Sequence, residues 1–358
     1  MKILYVGMKY DYMNPARGYS FEHYNFYDAL IHMDGGTHEV AYFPFDEIMQ
    51  RHGREEMNRM LSDTVQRINP DFCFFFLFND EIEPDTIRKI TEAGYKTFNW
   101  FADDHWRFEN FSKYWCWNFN YVSTTDSLAI DKYRKIGYQN VIKTQWACNH
   151  FLYRPLKIGQ AERYLYDVSF VGQFSGSRKK IIEELAQQGM RASCFGSKWP
   201  SGKISQEKMI EIFHTSRINL NIATSEVNFF REMAKVFTVR KRGQLHLALP
   251  REIKDNYRSY LGKSRRQIKG RVFEIPGCGG SLFTENADNL GEYYRIGEEL
   301  IVYSDAQDLA GKIDYYLKHP AEREKIAAAG YVRTLREHTY EIRFKEIFNI
   351  INPTYATG

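Results

Sequence analysis

The stretch GRVFEIPGCGGSLFTE, residues 270–285, sets a carboxylate, Glu274, among Val272, Phe273 and Ile275, directly before a turn made almost wholly of glycine. Desolvating a carboxylate costs several kcal/mol unless a partner compensates. On a short helix over 268–276, Lys269, Arg271 and Glu274 occupy neighbouring positions, because residues three apart share a face. The plainest reading is a surface Arg271–Glu274 pair worth a few tenths of a kcal/mol. A sharper one follows from the apolar residues. They bury the other faces, so the charged face must point into a cleft, where an acid accepts hydrogen bonds from vicinal hydroxyls. Lys269 and Arg271 would then hold a diphosphate. Gly277, Gly279 and Gly280 would let backbone N–H groups approach a ligand that side chains would obstruct. A nucleoside diphosphate carrying a sugar satisfies acid, bases and glycines together.

VGQFSGSRKK, 171–180, offers a second anion site: strand, glycine, short polar turn, then the basic first turn of a helix. Free N–H groups and the helix dipole of Gly172, Gln173, Phe174 and Ser175 attract an anion there, and Arg178 adds a bidentate phosphate donor. The spacing is neither GxGxxG nor a P-loop, and an ordinary turn with a solvated basic helix explains it equally well. Phe195 and Gly196, ending their own strand, are candidate walls of a base pocket.

A proton acceptor is sought in NWFADDHWRF, 99–108, where Asp103, Asp104 and His105 follow a strand. Paired acids push one pKa upward, which suits a base, although the same residues commonly cap a helix. The loop NPARGYSFEHYNF, 14–26, brings Arg17, Gly18, His23 and Tyr24 as acceptor-side candidates, and Ser20 as a helix cap. Trp106 and WCWNF, 115–119, are read as a buried aromatic cluster before sugar-stacking faces. No metal is expected, since Arg178, Lys269 and Arg271 already supply the countercharge a diphosphate needs.

The elements that must position these groups alternate from the start. Strands are expected at 2–7, 39–45, 71–78, 95–101 and 121–125, with helices at 20–34, 54–68 and 84–93. FCFFFLF, 72–78, is apolar throughout, as a central parallel strand covered on both faces requires. After a linker at 150–164 a second series follows. Its strands fall at 166–172, 192–196, 218–224, 281–284 and 300–303, with helices at 177–189, 206–215, 305–318, 321–330 and 338–350. Residues 226–268 break the rhythm and read as a basic insertion with its own helix. The fold class is α/β with two Rossmann-like halves. The expected domains are 1–155 on the acceptor side, 156–335 on the nucleotide-sugar side with an insertion at about 226–266, and a terminal helix at 336–358.

Composition bounds the rest. A length of 358 residues suits two domains. A net charge of +4 suits an anionic small ligand and argues against nucleic acid, leaving clustered bases at 239–244 and 263–271 as a possible draw for an anionic acceptor. Five cysteines without a CxxC pair give no zinc or disulfide signature. The N-terminus is strand-like rather than a signal peptide, and FCFFFLF is about a third of a membrane span. A cytoplasmic protein with at most peripheral membrane contact is expected.

QIKGRVFEIPGCGGSLFTENADNLGEYY, the following GEELIVYSDAQDLAGKIDYYLKHPAEREKIAAAGYVRTLREHTYEIRF, and YDVSFVGQFSGSR together resemble the CgeB-like glycosyltransferases, within the broader GT-B superfamily. The resemblance is strong over about 166–225 and 267–348. It implies two Rossmann-like domains facing a central cleft, a UDP-sugar or related donor on the C-terminal one, no metal requirement, and a last helix crossing back to the N-terminal domain. Retaining GT-B enzymes often carry two glutamates with seven residues between them. Glu274 fits the second, whereas Arg266 occupies the first, which leaves retention or inversion open. The expected function is metal-independent sugar transfer to an acceptor hydroxyl of a carbohydrate, polymer or glycan. A UDP-sugar 2-epimerase and a non-catalytic sugar- or nucleotide-binding assembly protein are the alternatives.

Overall fold

The computed structural model describes residues 1–155, 164–223, 229–242 and 244–353. The linker expected at 150–164, and with it the boundary at 155/156, lies largely outside them, as does the start of the insertion.

The strands, in chain order, are β1 (Lys2–Gly7), β2 (Glu39–Pro44), β3 (Phe72–Phe75), β4 (Thr97–Phe101), β5 (Tyr121–Thr124), β6 (Val141–Lys143), β7 (Tyr166–Val171), β8 (Ser193–Phe195), β9 (Ser216–Asn221), β10 (Thr238–Lys241), β11 (Gln244–Leu247), β12 (Leu282–Glu285) and β13 (Ile301–Tyr303). They form two all-parallel sheets, ordered β2-β1-β3-β4-β5-β6 and β13-β12-β9-β7-β8, and an isolated β10-β11 ribbon. Two compact units result: Met1–Gln145 with Asn228–Ser264 and Tyr340–Gly358, and Trp146–Val227 with Arg265–Thr339.

In the first unit β3 is buried at every residue, as its unbroken apolar sequence demands of an inner strand. The helix Arg54–Ile68 buries Met57, Leu61 and Val65, one residue per turn of a single face. It ends where Asn69 takes a left-handed conformation, at φ 48°. The expected helix from Ser20 is present. Ser20 Oγ accepts the His23 amide at 3.0 Å, but the helix carries a π turn over His23–Tyr27 before regular α-helix at Asp28–His32.

The last helix, Tyr340–Ile351, belongs to the first unit, as expected for the crossing-back element. Its Phe344 ring lies 5.3 Å from Phe74 and 5.6 Å from Phe26, and Phe348 lies 5.1 Å from Phe72. Aromatic contacts at such spacings carry much of a core's burial energy.

The insertion departs from expectation. It was assigned to the C-terminal half, but it packs on the first unit. Its helix Pro250–Gly262 lies against Asp104–Arg107 and Phe108–Ser112. Asp255, buried, accepts from Lys113 Nζ at 2.7 Å and from the Tyr114 hydroxyl. Gly262 completes the fit: a Cβ there would stand 2.0 Å from the His105 carbonyl oxygen. Also absent from the sequence reading were β6, the helix Phe45–His52 and the β10-β11 ribbon, while the helix expected at 321–330 runs over Pro320–Glu337.

Gly262→Ala should therefore push the insertion helix off its seat. A loss of about 1–3 kcal/mol in unfolding free energy is expected, the usual cost of overpacking. Faster hydrogen exchange should be confined to 250–262 and 104–112; unchanged exchange there would contradict the close fit.

Candidate functional site

In the second unit the carboxyl edge of the sheet gathers charge. The turn after β7 leads through Ser175, whose side chain accepts the Arg178 amide and caps the helix Gly176–Gln187. The Arg178 guanidinium donates to the Gln173 carbonyl at 2.6 Å and to the Ile222 carbonyl, just past β9, at 3.1 Å. Burial lowers its pKa, and the Glu285 carboxylate opposes that. Glu285 closes β12, is 2% exposed, and lies 3.4 Å from Arg266. Tyr303, closing β13, donates to the Asn221 carbonyl at 3.1 Å, and Asn221 Nδ2 donates to Thr284 Oγ1 at 2.9 Å.

The turns after β7 and β8 interlock beside this cluster. Gly172 N–H donates to the Phe195 carbonyl at 2.9 Å, and Trp199 Nε1 donates to the Gly172 carbonyl at 3.0 Å. Gly196 has φ +130°, and a Cβ on it would stand 2.4 Å from the Gly172 oxygen, so only glycine fits. Gly172, Gln173, Phe174, Ser175, Arg178, Phe195 and Gly196 are thus one neighbourhood.

The helix Arg271–Gly277 forms as the sequence indicates, with Pro276 in its last turn. Arg271 Nη1 and Glu274 Oε2 are ion-paired at i,i+3. This is no surface pair. Glu274 is fully buried, whereas the Arg271 side chain retains 28% of its exposure. Burial is the largest single influence and lowers the Arg271 pKa, but the charge and hydrogen bond of Glu274 together with Tyr153 and Cys278 outweigh it and the result is a rise. Glu274 Oε1 is buried with no hydrogen-bond partner among the described residues, and Cys148, Tyr153 and Cys278, all buried, surround the carboxylate. Arg271 also lies near enough to Arg178 for the two charges to repel. Lys269, half-buried, precedes the helix.

The glycine turn sits elsewhere than its expected ligand role requires. It feeds the amino end of β12, the opposite edge of the strand from Glu285. A Cβ on Gly277 would stand 2.2 Å from Cys148 Sγ, and one on Gly280 would stand 2.9 Å from Asn219 Nδ2 and 3.1 Å from the Phe213 carbonyl. Gly279, at φ +77°, terminates the helix by donating to the Pro276 carbonyl at 2.7 Å. These three glycines are explained by packing and chain reversal.

In the first unit the loops after β1 and β4 carry the polar candidates. Asp104 is fully buried and accepts from the Tyr133 hydroxyl at 2.9 Å. Burial raises its pKa to about 6, against the hydroxyls of Ser112, Thr124 and Tyr133. His105 is 8% exposed beneath the insertion helix. Both are interior groups, whereas Asp103 is half-buried and opens the helix Asp104–Arg107. Arg17 is bound to Asp11 at 2.8 Å, Gly18 turns the chain at φ 76°, and the His23 ring stacks 4.2 Å from Tyr19, beside Tyr24. Trp106, half-buried, has Lys263 Nζ 4.4 Å from its ring centre.

Glu22 was missed by sequence reasoning. It keeps part of its surface open while being crowded on its other sides. Desolvation is the main cause of its pKa rise to about 7, and the Asp11 and Asp103 charges add to it while Ser20 opposes. Placed just after a helix cap, it reads as an ordinary acid complementing the helix dipole. Nothing in the sequence brings Asp103 to it. Glu285 was also missed, since the expected strand ended at 284, and Arg266 was noted only as a departure from the paired-glutamate pattern.

Among the described residues, no group of three or more His, Cys, Asp or Glu side chains could hold a metal ion, and no helix is long and apolar enough to cross a membrane.

Against known proteins, residues 178–349 match the glycosyl transferase-like family. The spore protein CgeB of Bacillus subtilis (strain 168) is 20% identical over 277 residues, covering 77% of this chain and 81% of CgeB. Among solved structures, sucrose-phosphate synthase from Thermosynechococcus elongatus superposes with a TM-score of 0.62 at 10% identity, covering 100% of both chains. HepE of Anabaena, solved in complex with UDP, gives 0.56 at 11% identity, covering 98% of this chain and 99% of its own. The fold is thus that of the GT-B glycosyltransferases, and residues 178–349 are glycosyl transferase-like. Within that class the chain is similar to CgeB, and the resemblance drawn from its motifs is supported.

The buried pair gives a test. Arg271→Ala strands a charge on Glu274 and should cost about 3–5 kcal/mol of stability. Arg271→Ala/Glu274→Gln should recover much of it in a double-mutant cycle read by denaturant unfolding. Additive losses would mean that the two side chains do not act as a unit.

Proposed function

We propose that this protein transfers a sugar from a nucleoside-diphosphate donor, with uridine as the base, to an acceptor hydroxyl. The observation that carries the reading is the cluster of Arg178, Arg266 and Glu285 at the carboxyl edge of the second sheet, with the Arg271–Glu274 pair near enough to Arg178 for their charges to interact. That edge is where open α/β sheets hold ligands. As the glycosidic bond breaks, the diphosphate gains negative charge. Cations already fixed beside it lower the barrier without reorganising, which is the largest kind of catalytic contribution. Arg178 and Arg271 are the donor's phosphate ligands in this reading, with Lys269 beside them. Phe195, Gly196 and the Gly172–Ser175 turn form the wall against the base. Glu274 Oε1, buried without a hydrogen-bond partner among the described residues, is the acceptor for a donor hydroxyl in this reading. The UDP bound to HepE supports the choice of base.

The first unit supplies the acceptor side. Glu22, with a pKa of about 7, is matched to general-base work near neutrality. It takes the acceptor proton as the hydroxyl attacks the anomeric carbon, and the diphosphate leaves with the bonding pair. Burial holds the Glu22 pKa up, and the Asp11 and Asp103 charges add to it. A base that acts directly on the acceptor fits inverting displacement.

Thermal-shift measurements with UDP-, GDP- and dTDP-sugars, followed by product analysis with and without acceptors, test the donor. Stabilisation by UDP-sugars and transfer to an added glycan are expected. Isomerised sugar without acceptor would favour a 2-epimerase, and binding without turnover would favour an assembly protein. For the base, Glu22→Gln should cut kcat by about 10²–10⁴-fold while leaving UDP affinity intact. In the wild type, activity should rise with pH through about 7, because the base works only when deprotonated. Asp11→Asn/Asp103→Asn removes both like charges beside Glu22 and should move that limb downward, and loss of the limb altogether in Glu22→Gln would identify the titrating group.

A further inference from the structure

The insertion carries a charge of its own. Residues 229–264 hold nine Lys and Arg against three Asp and Glu, a net of +6 where the whole chain has +4, so the remainder is net −2. Several of these cations are held by carboxylates: Lys235 and Lys263 by Glu232, Lys241 by Glu252, Arg242 by Glu83 and Arg258 by Glu109. Arg240, Arg251 and Lys254 have no carboxylate partner among the described residues.

Among the described residues the ribbon β10-β11 pairs with no other strand. Its register sets Thr238 opposite Leu247 and Arg240 opposite Leu245. Residues directly opposite share a face, so Leu245, Leu247, Thr238 and Arg240 lie together. Leu245 is 67% exposed, Leu247 84% and Leu249, two residues on, 62%. Exposed leucines at alternate positions beside unpaired cations are unusual on a protein surface, because each leaves favourable burial unrealised. The base of the ribbon is nonetheless fixed. Asn256 Nδ2 donates to the Val236 and Thr238 carbonyls, each at 3.2 Å, and the Arg242 amide donates to Asp80 at 2.7 Å. A held base with apolar, cationic strands has the form of an interfacial anchor.

We propose that the β10-β11 ribbon seats the protein on an anionic lipid surface, with Leu245, Leu247 and Leu249 entering the interface and Arg240, Arg251 and Lys254 meeting the headgroups. Charge complementarity selects this occupant. A second copy would bring the same +6 against itself, and a hydrophilic polyanion would have no use for three leucines. Lysines and arginines near such a surface each add to the attraction, and salt weakens them.

The test is co-flotation of the full chain with vesicles of phosphatidylcholine alone or with about a quarter phosphatidylglycerol. Binding to the anionic vesicles, weakened by salt, is expected. Leu245→Ser/Leu247→Ser should reduce partitioning more than about tenfold, with an unchanged thermal unfolding profile as the folding control. Arg240→Gln/Lys254→Gln should reduce it too and flatten the salt response. Failure of the wild type to float, or equal flotation of the leucine variant, would overturn the proposal. So would concentration-dependent dimerisation abolished by the leucine changes, which assigns the ribbon to a second copy. Capture on heparin that ignores the leucines, without vesicle binding, would assign the cations to a polymer.

Discussion

Much of the second unit is organised around an anion that cannot be left alone. Glu274 is fully buried on a helix of 7 residues, Arg271–Gly277, too short to be stable by itself. The carboxylate must be neutralised locally, and Arg271, one turn earlier, does so. Everything around the pair is fitted to it: Cys148 fills the space a side chain at Gly277 would take, and Tyr153 and Cys278 exclude water. A buried pair is poor evidence for stability as such, since apolar residues would often do as well. Its retention is better explained by the oxygen it leaves over. One carboxylate oxygen is spent on Arg271, and the other is buried without a hydrogen-bond partner among the described residues.

The same economy appears at the carboxyl edge of the second sheet. Arg178 uses part of its guanidinium to tie the turn after β7 to the end of β9, which fixes the group where Glu285 and Arg271 act on it. Side chains locked by neighbours lose little entropy when a ligand arrives, and fixed charges are the ones that discriminate a transition state from a ground state.

Much of the fold could be read from the chain, because burial on both faces leaves an unbroken apolar strand and capped helices announce their ends. The helices at 54–68 and 206–215 matched to the residue. The helix bearing Glu274 and its pairing with Arg271 followed from i,i+3 geometry alone, but the depth of burial did not, since seven residues say nothing of what covers them. The glycine turn misled for a related reason. Glycines that permit a ligand and glycines that permit a neighbouring side chain look alike in sequence, and only the edge of the sheet on which they fall separates them. Glu22, Arg266 and Glu285 were illegible because their significance lies in partners or neighbours 11 or more positions away.

Glu22 and Asp104 show how one fold gives two carboxylates different chemistry. Both are pushed upward, to about 7 and about 6, and in both burial is the chief cause. Asp104 is fully buried and accepts from the Tyr133 hydroxyl, so it is closed off from any substrate. Glu22 has open surface, a like charge at Asp103 and a π turn directly after it. Such turns widen the backbone locally and recur at functional sites, at a cost in helix regularity that packing alone does not call for. A perturbed group does useful proton chemistry only when a substrate can reach it, and by that measure the acid beside the helix cap is the stronger base than any residue of the Asp103–His105 turn.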